Sequence, residues 1–298
     1  MKSLKILLPM IALVLVFTAC TKENNEAISD EEAIESLIEG EYSSWFDFAS
    51  ELSDSILPDT VNPGLMTASL DTFPFIIAWG REITDVTKDL TIRIENDTAN
   101  ATIERDLYGV FHVVVPDSEG EPWEDLAKDL HDHAVRYARF VRTFSETEAG
   151  WRWTLDAISN VEIEAQPEHT VDIDSIRVTA RDGSFDKLYT DPLVLWQRDS
   201  VPVFNPGDTV DVTIYPHNFS EIRSVAILHN SHREGGQWHH HRCRFTPVPE
   251  EQKFVGSWAV PTTPDVYHVG FDLLRWETFF VRDYPYDDNG WCFVYRVE

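Results

Sequence analysis

From Ile28 onward the apolar positions follow two periods in succession. Ile34, Leu37, Ile38, Tyr42, Trp45, Phe46 and Ala49 recur at helical spacing. Ser29 with Glu32 three residues later has the form of a capping box, so the folded chain opens on an amphipathic helix. Residues 53–72 are rich in Pro, Asp, Ser and Thr and predict loop or short helical turns. Residues 91–95, 99–105, 110–115, 135–144 and 151–164 then carry the β-branched and aromatic side chains of strands. Alternation is plainest where Tyr137, Arg139, Val141 and Thr143 stand against Ala138, Phe140 and Arg142. Turn residues at Asn96-Asp97 and Ala149-Gly150 predict hairpins.

Past Gln166-Pro167-Glu168 the predicted strands become short and evenly spaced, at residues 171–180, 193–197, 209–216, 224–230, 238–246, 254–260, 266–274 and 291–297. Asn205-Pro206-Gly207-Asp208 and Gly235-Gly236 supply turns between them. That count and spacing suit a sandwich of two sheets.

Glu41-Tyr42-Ser43-Ser44-Trp45, Arg136-Tyr137-Ala138-Arg139-Phe140-Val141-Arg142 and Gly150-Trp151-Arg152-Trp153-Thr154-Leu155 set an opening helix against a long sheet. That pattern resembles the nuclear-transport-factor-2-like (SnoaL-like) superfamily, which implies a cone with its site at the mouth. The later strands resemble an immunoglobulin-like domain in architecture, without its cysteine-tryptophan-cysteine signature. The expected fold class is an α+β cone-like domain, residues 30–167, followed by an all-β immunoglobulin-like sandwich, residues 168–298.

Ahead of the helix, Lys2 and Lys5 precede an apolar run over residues 6–17 that is broken only by Pro9. The run is shorter than the roughly 20 residues a spanning helix needs. It ends at Phe17-Thr18-Ala19-Cys20, which resembles the lipobox of bacterial lipoproteins. The resemblance implies a signal peptide over residues 1–19, lipid on Cys20 and a polar tether through residue 29. Acyl chains on Cys20 would make the membrane the first partner. Thr21 in place of an aspartate, with Lys22 and Glu23 after it, points to the outer membrane of the cell envelope, its face left open.

Composition narrows the field. A chain of 298 residues with 43% hydrophobic and 12% aromatic residues can build real cores. A net charge of -28 argues against nucleic acid, because an acidic surface repels phosphates. With Cys20 taken by lipid, Cys243 and Cys292 remain, in a compartment that permits a disulfide. Alternation with Trp291, Phe293, Tyr295 and Val297 places Cys292 outward. Arg242 and Arg244, read as outward, place Cys243 inward, and a bridge stays open.

Three clusters carry candidate chemistry. His112, His131, Asp132 and His133 are the acid–base candidates for a cone mouth, but His131 and Asp132 face opposite sides if extended. The acidic stretch 121–132 reads as solvated loop. His229, His232, His239, His241 and Cys243 flank the Gly-Gly turn and bear the ligand types of zinc or copper, although their spacing matches no known finger. Trp276, Tyr284, Tyr286, Asp288 and Trp291 combine aromatic faces with a carboxylate in the manner of a sugar site. The reading that follows is a membrane-anchored, exported lipoprotein that binds a protein or glycan partner, with no catalytic residue and no required cofactor. A surface carbohydrate-binding lipoprotein is the alternative. An enzyme in the amino-terminal cone, or metal binding by the His-rich hairpin, stands third.

Overall fold

The computed structural model describes residues 28–48, 56–61, 76–116, 123–145, 150–234 and 237–298. Cys20 and the expected signal and tether segments up to residue 27 lie outside them. The described chain begins with helix α1 (Asp30–Glu39) and one short turn, α2 (Ser43–Phe46). The capping box forms as predicted: Ser29 Oγ accepts from Glu32 N, and Glu32 Oε2 accepts from Ser29 N.

Strands follow: β1 (Leu57–Val61), β2 (Ile76–Glu95), β3 (Thr98–Val115), β4 (Glu124–Ser145), β5 (Gly150–Ala165), β6 (Ile173–Ala180), β7 (Asp186–Tyr189), β8 (Trp196–Gln197) and β9 (Val203–Phe204). The carboxyl half adds β10 (Thr209–Pro216), β11 (Ser224–Glu234), β12 (Gln237–Arg244), β13 (Thr246–Val248), β14 (Lys253–Ala259), β15 (Asp265–Arg275), helix α3 (Trp276–Phe280) and β16 (Asp288–Val297).

The main sheet runs β1-β2-β3-β4-β5-β16-β15-β11-β12, and a second runs β13-β14-β10-β6-β7. The expected α+β cone is therefore corrected. The chain is mostly β, its long strands form a curled antiparallel sheet, and the helices are too short to make half of an α+β fold. The second sheet does pack on the carboxyl-terminal strands of the main sheet over a shared core of Val210, Val212, Trp258, Phe271, Phe293 and Tyr295. Those strands do not belong to a separate immunoglobulin-like sandwich, because β16 pairs with β5 from Asn289↔Glu164 to Cys292↔Val161. One hydrogen-bonded ladder thus joins residues on either side of 167.

Residues 124–132 of the acidic stretch expected to be loop are the start of β4, a strand of 22 residues. The hairpin at Asn96-Asp97 forms, with Glu95 opposite Thr98 and Asn96 at φ 56°. The tight turn before β10 also forms, with Gly207 at φ 81°.

Strands this long bend at irregularities in register, one between β2 and β3 at Ile83/Asp85 and two between β4 and β5. The curl brings the concave face of β2–β5 over the second face of β11, β15 and β16. Helices α1 and α2 fill one end of that space with Ile34, Ile38, Trp45 and Phe46, beside Phe140 and Val294. Helix α3 fills the other with Phe279 and Phe280, beside Trp79 and Phe111. Strand β16 is consequently buried on both faces.

That double burial reverses the expected sides of the cysteines. Cys292 is buried in the inner core with Val161 and Ile163, while Cys243 is exposed, and both are free thiols. Arg242 and Arg244 turn inward instead. The Arg242 guanidinium lies 3.5 Å from the centre of the Trp79 ring and donates to Trp79 O at 3.0 Å, and Arg244 sits over Phe279 at 5.5 Å. No described helix is long and apolar enough to cross a membrane.

Candidate functional site

The five residues proposed for sugar do not form a surface row. Trp276, Tyr286, Asp288 and Trp291 are buried, and Tyr284 is half-buried with its hydroxyl donating to Asp287 Oδ2 at 3.1 Å. Trp276 stacks on Phe280 at 4.5 Å. Trp291 belongs to the core between the sheets. Burial on both faces of β16 removes them as a stacking platform.

Tyr286 and Asp288 instead enter a buried charge network. Arg81 Nη1 donates to Asp272 Oδ2 at 2.6 Å and Nη2 to Asp288 Oδ2 at 2.9 Å. The Tyr286 hydroxyl lies 3.1 Å from both Asp132 Oδ2 and Asp288 Oδ2. His229 Nε2 is 2.6 Å from Asp272 Oδ2. These groups come from β2, β4, β11, β15 and β16, so the network fastens the amino-terminal strands to the carboxyl-terminal ones.

Three carboxyls around one guanidinium cannot all be charged in a dry interior. Burial would raise Asp272, but Arg81 and His229 outweigh it and bring its pKa down to about 2. Burial lifts Asp132 to about 6 against the pull of Arg81. Burial, reinforced by the charge of Asp272, holds Asp288 well above the usual carboxylate range. The geometry agrees, because one phenolic proton cannot serve two carboxylate oxygens; one acid must donate to the phenol.

Of the other acid–base candidates, His131 and His133 emerge on the opposite face of β4 from Asp132. His131 Nε2 and His133 Nδ1 both meet Asp106 Oδ1, at 3.0 and 3.1 Å. His112 pairs with Asp125 at 2.8 Å. These are partly exposed hydrogen-bonded pairs on a sheet face, separated from the buried carboxyls by the strand itself.

The proposed metal ligands divide in the same way. In the β11–β12 ladder Leu228 pairs with Cys243, His229 with Arg242, Asn230 with His241 and His232 with His239. Strand alternation puts His229 on one face and His241 with Cys243 on the other. The side chains of His232 and His239 lie outside the described residues. Among the described residues no group of three or more His, Cys, Asp or Glu side chains is arranged to hold a metal.

His241 and Cys243 do share a site of another kind. They line a cleft of about 630 Å³ with Asn230, Ser257, Trp258, Thr262, Thr263 and Tyr267, between the edge strand β12 and the segment leaving β14. Arg242 also lines it, with its guanidinium over Trp79, and no Asp, Glu or Lys is among its described lining residues, in a chain with 52 acidic residues. Burial raises the Cys243 pKa, which keeps it a neutral thiol, and its Sγ is 4.0 Å from Ser257 O.

Two lining atoms are left without partners. Asn230 is 6% exposed and its Oδ1 accepts no hydrogen bond from the described residues; Trp258 is 5% exposed and its Nε1 donates none to them. A buried unmet acceptor or donor costs about 1–3 kcal/mol. Sequence reasoning missed both, because neither an Asn in a strand nor a Trp in a core announces an unmet atom. Only the His-Cys pattern pointed toward this strand, and for a different chemistry.

Comparison of the chain with protein-family models, with curated proteins and with solved structures gives no match. Function is therefore argued from the site alone.

Proposed function

We propose that the protein is an exported lipoprotein, held to the outer membrane through Cys20, that works by binding a neutral polar ligand in the cleft beside β12. The observation that carries the binding reading is that two residues lining one cleft, Asn230 and Trp258, each hold a polar atom, Oδ1 and Nε1, that meets no partner among the described residues. Both atoms are closed to solvent, so a ligand reaches them only as the lining gives way; one that offers a donor to the first and an acceptor to the second then recovers both penalties. Sugar hydroxyls and peptide amides present such groups together, so an oligosaccharide or a segment of a protein partner fits. The anchoring half rests on the charged, apolar and small-residue order of residues 2–20.

The test uses a chain beginning at Glu26, which keeps every described element, with neutral oligosaccharides in one arm and uncharged peptides in the other. A ligand is expected to raise Tm. Asn230→Leu is expected to stabilise the free protein by about 1 kcal/mol, by removing an unmet polar atom at similar volume, whereas Trp258→Phe also opens a cavity beside Phe204, Phe271 and Tyr295 and is read by its effect on binding. Each should also weaken binding about tenfold, equivalent to ~1.4 kcal/mol. Binding that survives both substitutions unchanged would refute the cleft as the site.

A further inference from the structure

Among the described exposed aromatics, one pair is in ring contact. Phe144 is 59% exposed and Trp151 65%, and their rings meet edge to face with centroids 5.6 Å apart. They sit directly opposite each other on β4 and β5, one position before the strands end at Ser145↔Gly150. Two such side chains at a hairpin end are an apolar surface unpartnered among the described residues.

The same end of the hairpin receives the amino-terminal segment. The Asp30 carboxylate accepts from Arg142 Nη2 at 2.6 Å and from Trp153 Nε1 at 2.9 Å. Arg142 and Trp153 are themselves a cross-strand pair, two residues from Phe144 and Trp151. A two-residue step keeps the same face and covers about 7 Å. Asp30 therefore pins the start of α1 beside the aromatic pair.

Asp30 lies only ten positions after Cys20 in the sequence. Ten residue steps span at most ~36 Å. A lipid on Cys20 would thus hold this hairpin end, and not the far end of β4, next to the bilayer surface.

We propose that Phe144 and Trp151 form a second membrane contact, resting on the headgroup region of the bilayer in which Cys20 is anchored; the inference rests on the lipoprotein reading above. Indole and phenyl rings favour that interfacial zone, where apolar area leaves water without entering the hydrocarbon core. Glu146 and Glu148 lie between the two aromatics in sequence, and the chain carries a net charge of -28. The contact therefore favours zwitterionic over anionic headgroups. Anchor and aromatic pair together fix which end of the sheet faces the membrane and leave the cleft beside β12 on a different part of the sheet.

The experiment takes the full chain, purified from membranes and reconstituted into phosphatidylcholine vesicles containing brominated lipid, and reads tryptophan quenching. The expected result is a quenched component of roughly one indole among the chain's ten that Trp151→Phe removes. Phe144→Ala should weaken it. Trp123→Phe, an equally exposed tryptophan beside the opposite end of β4, should leave it unchanged. Replacing half the phosphatidylcholine with phosphatidylglycerol should reduce it. Quenching that is absent or indifferent to Trp151→Phe overturns the proposal, as does concentration-dependent crosslinking through Phe144 and Trp151, which would assign the pair to a second copy. The mass of the amino-terminal peptide reads the anchor separately. An acylated Cys20 without Trp151 quenching sinks the docking alone, whereas an unacylated one sinks the anchor and the docking together.

Discussion

Asp132 concentrates the conflict between charge and burial that runs through the inside of the curled sheet. It is fully buried, 3.1 Å from the Tyr286 hydroxyl, and burial raises its pKa from 3.8 to about 6. The folded state therefore holds this proton more tightly than the unfolded chain does. Its contribution to stability is complete below about pH 3.8 and is lost as pH rises through about 6. Asp132→Asn keeps the hydrogen-bonding shape without the titration. Relative to wild type, the variant should gain about 2 kcal/mol between pH 4 and pH 7. Urea midpoints at the two pH values check this, and a difference that does not change with pH would show that Asp132 is ionised in the fold. Asp272, at about 2, acts in the opposite sense and loses its contribution only as pH falls through that value. The arginines teach a related lesson. Arg242 was read as outward because charge favours water, yet a planar guanidinium stacks on Trp79 and satisfies a main-chain carbonyl, so it was able to turn inward.

At the scale of elements, the long strands depend on places where the backbone comes unusually close. Gly109 faces Ile83 at the irregularity between β2 and β3, and a Cβ built on it would stand 2.0 Å from Glu82 O. Backbone cannot swing aside as a side chain can. Gly109→Ala is expected to cost about 3 kcal/mol, at the upper end of overpacking penalties. Chemical denaturation measures it, and a loss below about 0.5 kcal/mol, the scale of a neutral surface change, would mean that the bulge relaxes freely. The helices at the two ends are held by side chains of the sheet. Buried Arg136 on β4 donates to Trp45 O at 2.5 Å and to His268 Nε2 at 3.2 Å, tying α2 to β4 and β15. That geometry requires a neutral His268, and burial together with Arg136 keeps its pKa well below 6.5.

For the whole molecule, the β5–β16 ladder and the Arg81 network make the two halves depend on each other. A break at residue 167 would expose the edge of β5 and leave Arg81 and Asp132 without Asp272, Asp288 and Tyr286. Removing partners from buried charges costs several kcal/mol. Calorimetry of the chain from Glu26 is therefore expected to give one unfolding transition, with calorimetric and van't Hoff enthalpies equal. Two resolved transitions would mean that the halves fold separately and that the ladder adds little.

Local features were legible in the residues themselves. The capping box at Ser29 and Glu32, the turns at Asn96 and Gly207 and most of the later strands are set by neighbours in sequence, where dihedral preference and side-chain period act directly. Tertiary structure alone decided that the two halves share one sheet, because which strand lies beside β5 depends on a partner more than a hundred residues away. It also decided that β16 is covered on both faces, which buried Cys292 and the proposed sugar aromatics, whereas alternation assumes that one face meets water. The curl that encloses Arg81, Asp132, Asp272 and Asp288 follows from bulges and long-range pairing, so no local reading of a charged residue could place it inside. The cleft depends on the same cause: Asn230 and Trp258 are unremarkable in sequence and become a site only where the edge of one sheet and the segment leaving another stop short of satisfying them.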